Sequence, residues 1–287
     1  MKSITVTTKV LVTITGILIT FIAIFPFLLM ISTSLKPAKE VFSPNLFPTE
    51  IAWTNYKNAL TRGNWILYFF NSFRVTVVVV IVSIFINSLA GFSFSRLNFR
   101  FRDTLFVISL IGLMIPPQAR MIPIFLELRF FPLAGGNNIF GRGGSGLINT
   151  FTGLILPMIA GSFGMFLFRQ FFLNFPSALD DAAKIDGLNE FKTYLFIYLP
   201  LSQPVIASLV AIKAAYTWNQ YIWPLILTKG DKLRTVQLAL TLFKDEDIIE
   251  WNLLMAATTT ILIPMIVLFF VAQKYFVRGI VTSGIKG

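Results

Sequence analysis

The sequence predicts an all-α integral membrane protein with six spanning helices. Three observations carry this: a chain of 287 residues is 55% hydrophobic with 31 Phe, only 13% of it is charged at a mean hydropathy of +0.76, and its apolar residues gather in runs. Several runs reach the roughly 20 residues that a helix rising 1.5 Å per residue needs to cross about 30 Å of hydrocarbon. The bilayer is then the solvent for most of the chain.

The spans are expected at about 10–31, 75–94, 104–125, 147–168, 201–227 and 253–273, within a single transmembrane domain over 1–287. Lys2 and Lys9 precede the first run like the charged start of a signal peptide, but Val10 to Ile31 is 22 residues, longer than the usual apolar core, so an uncleaved span is expected. The third run breaks at Pro116-Pro117 and again at Pro123, which predicts a kinked helix followed by a re-entrant or interfacial turn. Links 33–73, 118–146 and 228–252 are long enough to hold structure outside the membrane, the second ending in the glycine-rich segment 134–146 and the third holding the acidic Lys244-Asp245-Glu246-Asp247.

The formal charge of +11 does not point to nucleic acid, because the 24 Lys and Arg are scattered over the links and form no stripe. With the N-terminus inside, the inner segments hold 11 of them and the outer ones 12, leaving Lys213 within a span. Orientation is read from the short link Arg96-Leu97-Asn98-Phe99-Arg100-Phe101-Arg102, whose three arginines lie beside two apolar runs and predict a cytoplasmic link. Both termini are then cytoplasmic. The absence of Cys and His removes thiol nucleophiles, His bases and Cys or His metal ligands, so no catalytic and no metal residue is assigned.

Between the fourth and fifth runs, Asp180 to Lys192 holds four acids and two lysines, a density no span tolerates. Pro176-Ser177 with Asp180 and Asp181 behind it reads as a helix start favoured by the dipole, and Gly187 as its left-handed end. Leu179, Ala182, Ala183 and Asp186 fall three or four apart on one face, where two alanines permit close approach by another protein. Asn189 is placed to cap a second helix running through Phe191, Leu195 and Ile197 to Pro200. A helix lying on the membrane surface needs a basic polar face, and this one is acidic.

This stretch resembles a family. Asp181-Ala182-Ala183, three residues, Gly187, nine residues, Ile197, one residue, Leu199-Pro200 matches the EAA loop of permease subunits in ABC importers, with Asp where Glu is usual. Ser34-Leu35-Lys36, Phe92 to Leu97, Trp218-Asn219, Pro224-Leu225, Phe276 to Gly279 and Gly284 to Gly287 further resemble the smaller six-span permease of maltose-type carbohydrate importers, and segment 134–146 looks like an addition to the usual link. The resemblance implies a cytoplasmic coupling helix with ATPase-coupling residues Asp180, Asp181, Ala182, Ala183, Asp186, Gly187, Leu199 and Pro200. It also implies a second permease, two ATPase subunits that carry ATP and Mg, an extracytoplasmic solute-binding protein, and a prokaryotic plasma or inner membrane. The chain itself has no G-x-x-x-x-G-K-[ST] phosphate loop and is expected to hold no cofactor and to be no enzyme.

Aromatic platforms beside amides suit sugars, so Tyr216, Trp218, Asn219, Gln220 and Trp223 are candidate substrate-path residues, with an interfacial aromatic belt as the plainer account. Lys213, near the middle of the fifth run with no evident acidic partner, joins them: intramembrane charge faces a wet cavity or snorkels. The function expected is import of a di- or oligosaccharide. Glycerol phosphate esters are the alternative within the family, and a secondary transporter coupled through intramembrane acids is the alternative outside it.

Overall fold

A computed structural model describes residues 6–245 and 248–283, with side chains from residue 8 to residue 271 and at Gln273. The closing Gly284 to Gly287, the side chains of Phe276 to Gly279, and Glu246-Asp247 lie outside the described residues.

The described chain is mostly helical, in order α1 (Val6–Ser34), α2 (Thr54–Thr61), α3 (Trp65–Arg96), α4 (Arg102–Met114), α5 (Met121–Arg129), α6 (Phe151–Ile159), α7 (Ser162–Leu173), α8 (Ala178–Ile185), α9 (Glu190–Leu201), α10 (Gln203–Trp218), α11 (Ile222–Leu227), α12 (Val236–Ala239) and α13 (Trp251–Ser283). The only strand-like pairing among the described residues is an isolated bridge between Lys244 and Ile249.

Three helices are each long and apolar enough to span: Thr8–Ser34, Trp65–Arg96 and Trp251–Val271. Three more stretches pass as bent pairs, α4 with Pro117–Arg129 at 104°, α6 with α7 at 46° and α9 with α10 at 78°. The expected third, fourth and fifth spans are therefore each broken, and two have moved. The third bends at Pro116-Pro117 as expected, but Pro123 breaks nothing, because it sits in the first turn of α5 where its missing N–H has no intrahelical partner to lose. The fourth starts at Phe151, not at 147, capped by the Thr150 hydroxyl accepting from the Gly153 N–H at 3.0 Å; it breaks at Ala160-Gly161 and runs on to Leu173. The expected fifth run 201–227 is interrupted at both ends. Pro204 denies the carbonyl of Pro200 its N–H donor at the Ser202 bend, and α10 stops at Trp218 before α11 begins at Ile222.

The chain separates into two compact units. One comprises residues 1–65 and 239–263. Its α1 is exposed along its apolar length, as befits a surface that meets lipid or another chain. Buried Asn55 organises its extramembrane part: the amide donates to the carbonyls of Ser34 (2.9 Å) and Lys36 (2.8 Å) and its oxygen accepts from buried Asn252 (3.0 Å). The other unit comprises residues 66–238 and 264–287. It holds two apolar cores, one around Val75, Val79, Leu154, Met158 and Trp223, the other around Phe92, Phe168, Phe172, Tyr194, Tyr198 and Leu209. Gly91 lets α3 and α7 meet in the second core, since a Cβ there would lie 2.5 Å from the Phe168 Cβ.

The segment 134–146 is folded. Asn137 donates to the carbonyls of Arg129 and Phe131, both at 3.0 Å, and accepts from the Gly144 N–H at 2.8 Å, so one buried amide satisfies the backbone of both arms of the loop.

Candidate functional site

The acidic stretch forms the short helix α8, with Ser177 at its N-cap position and Asp180 and Asp181 in its first turn. Ser177 makes no side-chain cap bond, so the helix start rests on the carboxylates and on the partners of Asp180. The end is a Schellman closure: Gly187 takes φ +71°, its N–H donates to Lys184 at 3.1 Å, and the Leu188 N–H donates to Ala183 at 2.9 Å. Asn189 then caps α9, its side chain accepting from the Lys192 N–H at 2.9 Å. The α9 backbone widens to a π-helical turn over Tyr194–Tyr198, and both tyrosines are buried.

The rotation of α8 differs from the expected face. Ala183 is buried and Leu179 half-buried, whereas Ala182, Asp181 and Asp186 are exposed and Ile185 is 87% exposed. The outward face is Ala178, Asp181, Ala182 and Ile185, not Leu179, Ala182, Ala183 and Asp186. The reason is Asp180. It turns toward the protein, pairing with the Arg96 guanidinium at 3.1 Å through one oxygen and accepting from the Tyr198 hydroxyl at 2.6 Å through the other. Arg96 also donates to the carbonyls of Phe172 and Phe175 and lies over the Tyr198 ring at 5.3 Å, so one side chain gathers α3, the end of α7, α8 and α9. Of the remaining expected coupling residues, Leu199 is half-buried against the second core and Pro200 is exposed. In the sequence Arg96 serves to orient the chain and belongs to the stretch Phe92 to Leu97 that carries the family resemblance. Its pairing with an acid 84 residues away follows only from the fold.

The expected substrate group is split by the end of α10. Lys213 and Tyr216 line a cavity of about 560 Å³, with Asn87, Ser109, Arg120, Met158, Gly161 and Ser162 among its walls. Trp218 is buried, its ring 6.2 Å from that of Phe69, and Trp223 belongs to the first core, so neither reaches that space. Asn219 closes α10, donating to Ala215 at 2.9 Å and accepting from Gln237 at 3.0 Å, and Gln220 lies half-exposed in the break that follows.

Lys213 has a partner that is not an acid. Its ammonium donates to the Met158 carbonyl at 2.8 Å, one of those left without an intrahelical donor where α6 stops. The neighbouring Ile159 carbonyl accepts from Ser83 and, at 3.4 Å, from Asn87. A cation at a helix C-terminus is favoured by the dipole, and the carbonyls freed at the break explain how the chain holds a half-buried lysine without an acidic partner. Arg120, counted in the sequence only as a link charge, lines the same cavity.

Residues 83–282 match the family model described as binding-protein-dependent transport system inner membrane component. The arabinooligosaccharides transport system permease protein AraQ of Halalkalibacterium halodurans is 30% identical over 285 residues, covering 96% of each chain. The lactose transport system permease protein LacG of Rhizobium radiobacter is 30% identical over 92% of this chain and 91% of that protein. The sn-glycerol-3-phosphate transport system permease protein UgpE of Agrobacterium fabrum is 32% identical over 91% of this chain and 92% of that one. Among solved structures, a chain of a bacterial ABC transporter involved in import of the acidic polysaccharide alginate superposes with a TM-score of 0.78 at 21% identity, over 95% of this chain and 98% of that one. At that identity the match speaks for the fold.

Proposed function

The chain belongs to the family of binding-protein-dependent transport system inner membrane components, and from that premise we propose that it forms half of the translocation path of a sugar importer, with a second permease as the other half. It is a multi-pass membrane transport subunit and not an enzyme. ATP and Mg belong to two partner ATPase subunits, and an extracytoplasmic binding protein delivers the solute. The six spans are the three long helices and the three bent pairs, with both termini and α8 on the cytoplasmic side.

The observation that carries this reading is α8 itself. It presents Asp181, Ala182 and Ile185 outward while Asp180 ties its inner side to Arg96 and Tyr198. An exposed apolar residue beside small and acidic ones suits a groove on another protein, and the ion pair passes the motion of that protein to α3 and α9. Closure of the ATPases then shifts the spans between two packed states. A di- or oligosaccharide is the solute class favoured by the arabinooligosaccharide and lactose relatives. A glycerol phosphate ester is the second reading, favoured by the relative from the glycerol phosphate system.

The test is reconstitution in liposomes with the companion permease, ATPases and binding protein. ATP-driven uptake that needs every component is the expected result. Solute accumulation by this chain alone, driven by an ion gradient, would refute the reading.

A further inference from the structure

Resting on the reading of the chain as half of a transport path, we propose that the cavity at the α6–α7 break receives a negatively charged group of the transported ligand, a carboxylate or a phosphate, through Lys213 and Arg120. The cavity of about 560 Å³ is walled by residues of α3, α4, α6, α7 and α10 and by Pro117 and Arg120 at the bend of the third span. Its lining contains two cations and no carboxylate. In a membrane-spanning chain that imbalance is costly, and an anionic guest offsets it.

The donors left to a guest are few. Ser162 donates to the Ser109 carbonyl, Ser109 to the Leu105 carbonyl, and Asn87 to the carbonyls of Ser83 and Ile159. Asn87 and Ser162 brace the helix break, and Ser109 bonds back into its own helix. Lys213 uses one of its three N–H groups on Met158, which leaves two for other partners. Arg120 is exposed, and its guanidinium makes no hydrogen bond or ion pair among the described residues. Capping of α6 accounts for a cation at Lys213 and gives no reason for Arg120 beside it. A guanidinium and an ammonium opening on one space match a carboxylate or phosphate, the guanidinium by paired donors and the ammonium as a point charge. The Tyr216 ring, 6.0 Å from the Lys213 ammonium, adds an apolar platform for a sugar or glycerol skeleton.

The experiment measures ATP-driven uptake into liposomes by the complete complex with three probes: a neutral trisaccharide, an oligouronate of the same length, and sn-glycerol 3-phosphate. Wild type is compared with Lys213→Gln, Lys213→Arg and Arg120→Gln at equal complex and saturating binding protein. The expected result is that wild type takes up the oligouronate or the phosphate ester, and which of the two identifies the source of the charge. Lys213→Gln and Arg120→Gln each lower the maximal rate for that probe about tenfold, the loss of one charge-assisted contact. Lys213→Arg retains most of it. Preference of the wild type for the neutral trisaccharide would overturn the proposal, as would an equal effect of the substitutions on all three probes, or none. Arg120→Gln keeps the test decisive if Lys213→Gln fails to assemble, because Arg120 supports no other part of the chain. A wild-type complex that takes up neither the oligouronate nor the phosphate ester would overturn this inference and leave the importer reading standing, which falls only if this chain alone accumulates solute on an ion gradient.

Discussion

Arg96 and Asp180 are joined at 3.1 Å across 84 residues of sequence, and both side chains are largely covered, at 13% and 25% exposure. This pair sets the rotation of α8: with Asp180 held inward, Ala183 is buried and Ile185 faces out. Removing Arg96 leaves the Asp180 carboxylate covered without its ion-pair partner and takes a donor from the carbonyls of Phe172 and Phe175, of which Phe172 keeps the Phe175 N–H at 3.0 Å. Arg96→Ala is expected to cost about 2 kcal/mol of local stability, between the value of an exposed pair and that of a fully buried one. Tyr198→Phe removes one hydrogen bond to a carboxylate and is expected to cost about 1.5 kcal/mol. Thermal unfolding of the purified complex measures both. If the pair also carries motion, Arg96→Ala raises the ATP hydrolysed per solute imported, and an unchanged ratio at equal assembly would count against that role.

Gly187 tests the end of the same helix. Its φ is +71° and a Cβ there would meet nothing within 4 Å, so the cost of substitution is backbone strain alone. Gly187→Val is expected to destabilise the turn by about 1–2 kcal/mol and to uncouple transport, while Gly187→Asn, whose residue type enters the left-handed region more readily, retains most activity. Equal defects in the two variants would show that side-chain bulk at a docking surface, and not the turn, sets the requirement.

Gly91 presents the opposite case. A Cβ would stand 2.5 Å from the Phe168 Cβ and 2.9 Å from the Arg169 N, so α3 and α7 have to separate. Gly91→Ala is expected to cost about 1–3 kcal/mol by overpacking. The lowered melting temperature of the complex is the readout, and a neutral result would mean that the two helices do not pack this closely.

Glu40 supplies a pH dependence outside the spans. The side-chain hydroxyl of Thr49 donates to its carboxylate, as does the Thr49 N–H at 3.2 Å, and these bonds hold its pKa below the ordinary 4.5. A lowered folded value means that the contribution is complete above the ordinary pKa and is lost as pH falls through the folded one. Exchange protection of the Thr49 amide is therefore expected to persist at neutral pH and to be lost only in acid, below the ordinary carboxylate value of 4.5. Glu40→Gln should show reduced protection at neutral pH with no such dependence. Protection at neutral pH that is the same in Glu40→Gln as in the wild type would refute the assignment.

Membrane class, the places of the first and last apolar runs, the Gly187 and Asn189 helix ends and the kink at Pro116-Pro117 were legible in the sequence, because each depends on residues within one turn or one span of each other. Hydropathy reads lipid, and a capping amide or a proline acts on the nearest turn. The outward face of α8, the split of Trp218 and Trp223 from Lys213, and the placing of Lys213 and Arg120 on the wall of one cavity were not legible. Each follows from a break or a long-range pair: Asp180 with Arg96, Lys213 with the carbonyl freed at Met158, and the stop of α10 at Trp218. Periodicity tells which residues share a face, but the face that turns inward is decided by the partner that satisfies a charge, and that partner lies 84 residues away for Asp180 and 55 for Lys213.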